Sequence, residues 1–74
     1  MNTELTKGQK LVGLTFNPSG DDRVTKYKQA CANAIDILLE EQQINSTADK
    51  FVSLAIDSII TGQMFGVKAQ TWKE

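Results

Sequence analysis

Seventy-four residues make one domain at most, and a chain this short buries a modest fraction of its surface, so a lone copy is marginally stable. The formal net charge of −1, from 8 basic and 9 acidic residues, is not the global basic field of a protein that lives on DNA or RNA. Cys31 is the only cysteine and there is no histidine, which excludes an intrachain disulfide and a Cys/His zinc site. A well-packed helical core or self-association is left to stabilise the chain, and self-association is the expectation.

The opening stretch "MNTELTKGQK" is polar, without the apolar centre of a signal peptide. No apolar run approaches the ~20 residues that span a bilayer. A lone cysteine fits a reducing compartment, so a cytoplasmic protein with no membrane partner is expected. Residues 1–16 read as an N-terminal arm: 1–10 loose, then "LVGLTF" extended and interrupted by Gly13. "NPSG" at 17–20 is turn chemistry, since proline fixes φ and Asn, Ser and Gly tolerate tight backbone.

Residues 17–74 read as a helical hairpin domain. A first helix is expected over about 20–42, opened by a Ser19-x-x-Asp22 capping pattern and by acids at the positive end of the dipole. Val24, Tyr27, Cys31, Ala34, Ile35 and Leu38 recur at steps of three and four, which makes one apolar stripe and an inert, buried Cys31. Ser46-x-x-Asp49 repeats the capping pattern and starts a second helix reaching about Lys73, near 40 Å long at ~1.5 Å per residue. The fold class expected is therefore all-α: a two-helix antiparallel hairpin with an extended N-terminal arm, assembling into a helical homo-oligomer. The second helix carries Phe51, Val52, Ala55, Ile59, Gly62 and Gly66 on one stripe and Leu54, Ile56, Ile60, Met64 and Val67 on neighbouring arcs, more apolar girth than one partner helix covers. Gly62 and Gly66, with Ala69 close by, permit two helix backbones to cross closely.

Catalysis finds no support in the residue types. There is no histidine, no activated nucleophile, no metal-ligand spacing, and "NPSGDD" lacks the end of a phosphate-binding P-loop. Features that bind anions converge instead on the start of the first helix: its free N–H groups, the Ser19 hydroxyl, a ring face on Phe16, and Arg23, Lys26 and Lys28 within six positions. Asp21 and Asp22 would repel a phosphate on the helix end itself, so a pocket would lie to the side. Two readings stay open here: a capped helix with a solvated basic face, or one wall of an anion site. Lys68, one turn beyond Met64, either snorkels or faces an anion at a subunit junction. Trp72 is open between core, subunit contact and stacking platform.

Two segments, "NPSGDDRVTKYKQACANAIDIL" and "LAIDSIITGQMFGVKAQTW", resemble the small helical-hairpin domain shared by the phage anti-CBASS cyclic-nucleotide sponges and the Thoeris anti-defence sponges, over roughly residues 16–72. The resemblance implies an all-helical homo-oligomer, often a hexamer, that binds a cyclic nucleotide immune signal between subunits without cleaving it. It implies ligand contacts by Phe16, Lys28, Ser19, Lys26 and, beside the Thr-Gly-x-Met motif, Lys68. The family carries a basic residue early in its second helix for cyclic trinucleotides, where this chain has Ile56. The expected ligand is thus a cyclic dinucleotide or a cyclic ADP-ribose isomer, with Arg23 among the candidate contacts, no cofactor and no metal. A competing expectation is a small helical oligomerisation or adaptor protein that binds a protein partner.

Overall fold

The structure, a computed structural model, describes residues 4–74. Three α-helices form in chain order, α1 (Lys7–Val12), α2 (Asp22–Ile44) and α3 (Asp49–Thr71), with a 3-10 turn (Ser46–Ala48) between the last two. The protein is all-α, and the described residues contain no strand.

The expected extended arm is corrected by α1. Thr6 and Gln9 form a reciprocal capping box: the Thr6 hydroxyl accepts from the Gln9 N–H at 3.1 Å, and the Gln9 side chain accepts from the Thr6 N–H at 2.8 Å. The helix closes at Gly13, and Leu14 N–H donates back to the Gln9 carbonyl at 3.0 Å. The first three residues of that arm lie outside the described residues. Six helical residues are too few to stand alone, so α1 persists by docking on α2. Gly8 N–H donates to Asp36 Oδ1 at 2.8 Å, and a Cβ at Gly8 would collide with the Ala32 carbonyl and that same carboxylate. Asp36 is therefore an inter-helix acceptor, not a solvated acid.

The expected caps of the long helices also shift by a few residues. Asp21, not Ser19, caps α2, its Oδ1 accepting from Arg23 N–H at 2.9 Å. The Ser19 hydroxyl accepts from Asp21 N–H at 3.1 Å and donates to Asn17 Oδ1 at 2.6 Å, so it braces the turn before the cap. Asn45 takes the place of Ser46: its side chain accepts from Thr47 N–H at 3.1 Å, and α3 starts without a side-chain cap.

α2 and α3 run past one another in opposite directions, with Arg23 at the start of α2 beside Gln70 near the end of α3. Where α1, α2 and α3 meet, Val12, Ala32 and Ile35 form a small core lined by Leu14, Cys31, Leu39, Ile56, Ile59 and Ile60. Every member of the stripe expected on α2 is buried or half-buried, Cys31 the latter. The stripe expected on α3 splits: Val52 is buried, whereas Phe51 is 72 % exposed. The two α3 glycines differ too. A Cβ at Gly66 would overlap the Tyr27 ring, so the close approach is within one chain, while nothing lies within 4 Å of a Cβ at Gly62. The Tyr27 hydroxyl donates to the Gly62 carbonyl at 3.0 Å. Burial pushes the Tyr27 phenol above its ordinary range, and neighbouring Cys31 adds to the shift. The Cα envelope is a plate of 45 × 35 × 12 Å.

Candidate ligand cleft

Residues 13–20 cross the open end of the α2–α3 pair. Proline and asparagine turn the loop, and its own bonds hold it: Phe16 N–H donates to the Gly13 carbonyl at 3.0 Å, and Gly20 N–H to the Asn17 carbonyl at 3.1 Å. Asn17 Nδ2 ties the loop to α2 through the Asp21 carbonyl at 2.9 Å and Thr25 Oγ1 at 3.1 Å.

Lys28 holds the loop from beneath. Only 5 % exposed, its ammonium donates to the Gly13 carbonyl at 3.0 Å and to the Phe16 carbonyl, and lies 5.6 Å from the centre of the Phe16 ring. A buried cation is costly unless its donors are satisfied; two backbone carbonyls and a π face meet that need here. Two of its three N–H donors are thereby committed inside the protein, which leaves one for any ligand. The Phe16 backbone is thereby fixed while its ring stays 69 % exposed.

Phe16, Ser19, Val24 and Lys28 meet Val67 and Thr71 of α3 around an apolar cleft of about 220 Å³. That is below the ~300–1,000 Å³ of a typical small-molecule pocket, so it holds one ring system, not a whole cyclic dinucleotide. Ser19 and Thr71 also border a wider polar recess of about 550 Å³, whose other walls are Asp21, Arg23, Gln70, Trp72 and Lys73. The two share an edge and differ in chemistry: one takes an apolar face, the other offers cations and amides.

Arg23 is engaged at its end of the recess. It pairs with Asp21 at 2.8 Å, and this hydrogen-bonded contact holds the Asp21 carboxyl below its usual range and the guanidinium above its own. An anion there would share Arg23 with Asp21. Gln70 Nε2 donates to the Arg23 carbonyl at 3.1 Å, while its buried Oε1 has no hydrogen-bond partner.

The structure thus brings Phe16, Ser19 and Lys28 to the apolar cleft, and Ser19 and Arg23 to the recess. Lys26 is exposed on α2 and lines neither. Lys68 also lines neither; its ammonium sits 5.5 Å from the centre of the Trp72 ring. Sequence reasoning missed Val67, Thr71 and Gln70. Val67 and Thr71 are four apart and so share a helix face, but only tertiary packing shows which loop that face meets. Among the described residues no cluster of three or more His, Cys, Asp or Glu side chains is placed to hold a metal ion, and no helix is long and apolar enough to cross a membrane. No family model matches the chain, and no curated protein or solved structure is significantly similar to it.

Proposed function

We propose that this chain is a phage-encoded, non-enzymatic sponge, acting in the cytoplasm of an infected bacterial cell. It binds a cyclic nucleotide immune signal, of the cyclic dinucleotide or cyclic ADP-ribose type, and withholds it uncleaved from its effector. The support is the resemblance of residues 16–72 to the sponge families together with one observation: Phe16 presents an exposed ring on a backbone pinned by Lys28, above an apolar cleft that shares Ser19 and Thr71 with a recess carrying Arg23 and Lys73. In this reading a base stacks on Phe16 against Val24 and Val67. The phosphates lie toward Arg23 and Lys73, with Lys26 and Lys68 supplying charge from neighbouring copies of a homo-oligomer, a hexamer in the fullest form of the resemblance.

The test is a calorimetric panel of cyclic dinucleotides and cyclic ADP-ribose isomers. One member binds, and Phe16→Ala weakens it by roughly ten- to a hundredfold through lost stacking. The ligand recovered after heating the complex runs on chromatography as the input compound. A flat panel overturns the sponge, and a new linear product overturns the non-enzymatic reading. A second reading, a helical oligomerisation or adaptor protein that binds a protein partner, draws on the exposed Phe51, Leu54 and Phe65 of α3.

A further inference from the structure

Four polar side chains line the apolar cleft, Asn17, Ser19, Lys28 and Thr71, and their hydrogens are nearly all spent inside the protein. Asn17 Nδ2 gives its two N–H groups to the Asp21 carbonyl and to Thr25 Oγ1. The Ser19 hydroxyl gives its proton to Asn17 Oδ1. The Thr71 hydroxyl gives its own to the Val67 carbonyl, one turn back on α3, at 2.8 Å. Chemistry fixes these directions: a carbonyl only accepts, so the group facing it must donate. Lys28 keeps one N–H of three, under the Phe16 backbone. No neutral side chain of the cleft has a donor left to offer.

Acceptors remain. A hydroxyl or amide oxygen has two lone pairs. Ser19 Oγ has used one, on the Asp21 N–H, and Thr71 Oγ1 has used neither among the described residues. Thr71 is half-buried and is set one turn from Val67 on the cleft wall. Ser19 and Thr71 are also the two residues that the cleft shares with the recess, so they form the rim between them. Next along the chain, Gln70 Oε1 is a further acceptor without a donor, because Nε2 must face the Arg23 carbonyl. A ring that fills the cleft displaces solvent from this rim. A carbonyl or ether oxygen arriving there sets lone pair against lone pair. An N–H arriving there restores the bond that solvent made.

We infer that the rim of Ser19 and Thr71 selects for N–H donors, so that the cleft takes an amino-bearing aromatic heterocycle, with an edge like that of adenine, in preference to an oxo-edged ring such as hypoxanthine or uracil. The inference rests on the reading of the cleft as the seat of the base and adds which bases it takes. Thr71 is the main specificity-determining residue, since its oxygen has both lone pairs free and is carried on a helix. Ser19, exposed and half spent, is the lesser one. The remaining N–H of Lys28 suits a ring-nitrogen lone pair on the same heterocycle.

Two bicyclic probes of equal size test it: indole, and benzofuran, which has an oxygen in place of the N–H. Each is titrated into the full chain labelled with nitrogen-15, and the amide resonances of Ser19, Val67 and Thr71 are followed. Indole moves all three, with a dissociation constant roughly three- to tenfold below that of benzofuran. Thr71→Val keeps the shape, removes the acceptor and erases the difference. Thr71→Ser keeps the oxygen and keeps the preference, which separates the acceptor from any change in packing. Calorimetry then compares cyclic di-AMP with its hypoxanthine counterpart, and the adenine form binds more tightly. Benzofuran binding as well as indole overturns the inference. So do three resonances that neither probe moves, and so does a wild-type preference retained by Thr71→Val. Failure here is separable from failure of the sponge. Indole preferred beside a flat panel of cyclic nucleotides removes the sponge and keeps the rim. A cyclic dinucleotide bound equally in its adenine and hypoxanthine forms keeps the sponge and removes the rim.

Discussion

At one end of the α2–α3 pair the chain itself makes the join. Asn45 leaves α2, its N–H donating to the Glu41 carbonyl at 2.9 Å, its side chain starts a single 3-10 turn, and α3 follows. Among the described residues none covers Ile44 and Phe51 at this end, both more than two-thirds exposed. At the other end no chain segment joins the start of α2 to the end of α3, and side chains close the gap. Lys28 reaches up to two loop carbonyls, Tyr27 spans to the Gly62 carbonyl, and Gln70 reaches across to Arg23. A covalent turn leaves no space between helices. An end closed by side chains leaves seams, and the cleft and the recess described above are seams of that kind.

Three substitutions break or sharpen this contrast. Lys28→Met keeps much of the volume but leaves the Phe16 carbonyl without its Lys28 donor and the Gly13 carbonyl with only the Phe16 N–H. We expect a loss of about 2–3 kcal/mol, the upper part of the range for unsatisfied buried groups, read as a lower midpoint of thermal unfolding. Amide exchange over residues 14–20 should accelerate in the ligand-free protein; a loop that exchanges as in the wild type would show that the open end does not depend on Lys28. Gly66→Leu forces the Tyr27 ring off α3 and its hydroxyl off the Gly62 carbonyl, at about 2 kcal/mol for overpacking. Chemical denaturation measures it, and a variant as stable as the wild type would show that the ring swings aside freely. Asn45→Ala removes only a cap at the covalent end, costing about 1 kcal/mol, with amide exchange over 14–20 unchanged. A larger loss than that of Lys28→Met would invert the contrast.

Much of this was legible because long helices announce themselves. The stripe from Val24 to Leu38 gave α2 and its buried side, and the break before Asp49 separated the second long helix. α1 was written in the Thr6-x-x-Gln9 pattern, but six residues carry too few turns for periodicity to show. The caps slid because serine, asparagine and aspartate compete locally: with Asn17, Ser19 and Asp21 all present, geometry decides which one serves the helix and which the turn. At the candidate site, charge drew attention to Lys28 but not to its direction. A lysine at the start of a helix reads as solvated, and only the return of residues 13–16 over it turns the ammonium inward. The crowding of Gly62 and Gly66 was likewise visible, but not that Tyr27 of the same chain fills the one and leaves the other bare.

The plate is 12 Å thick at the level of its Cα atoms, which is a single layer of helices. A layer has two sides and no middle. Its core side chains are roofed from within the layer and never by a second one, so unfolding a lone copy uncovers little apolar area for its length. The heat capacity of unfolding and the slope of stability against urea both scale with that area, so a single copy melts over a broad range, gently in heat and in denaturant alike. Cooperativity in such a molecule is borrowed: it sharpens only when another surface is laid against the layer.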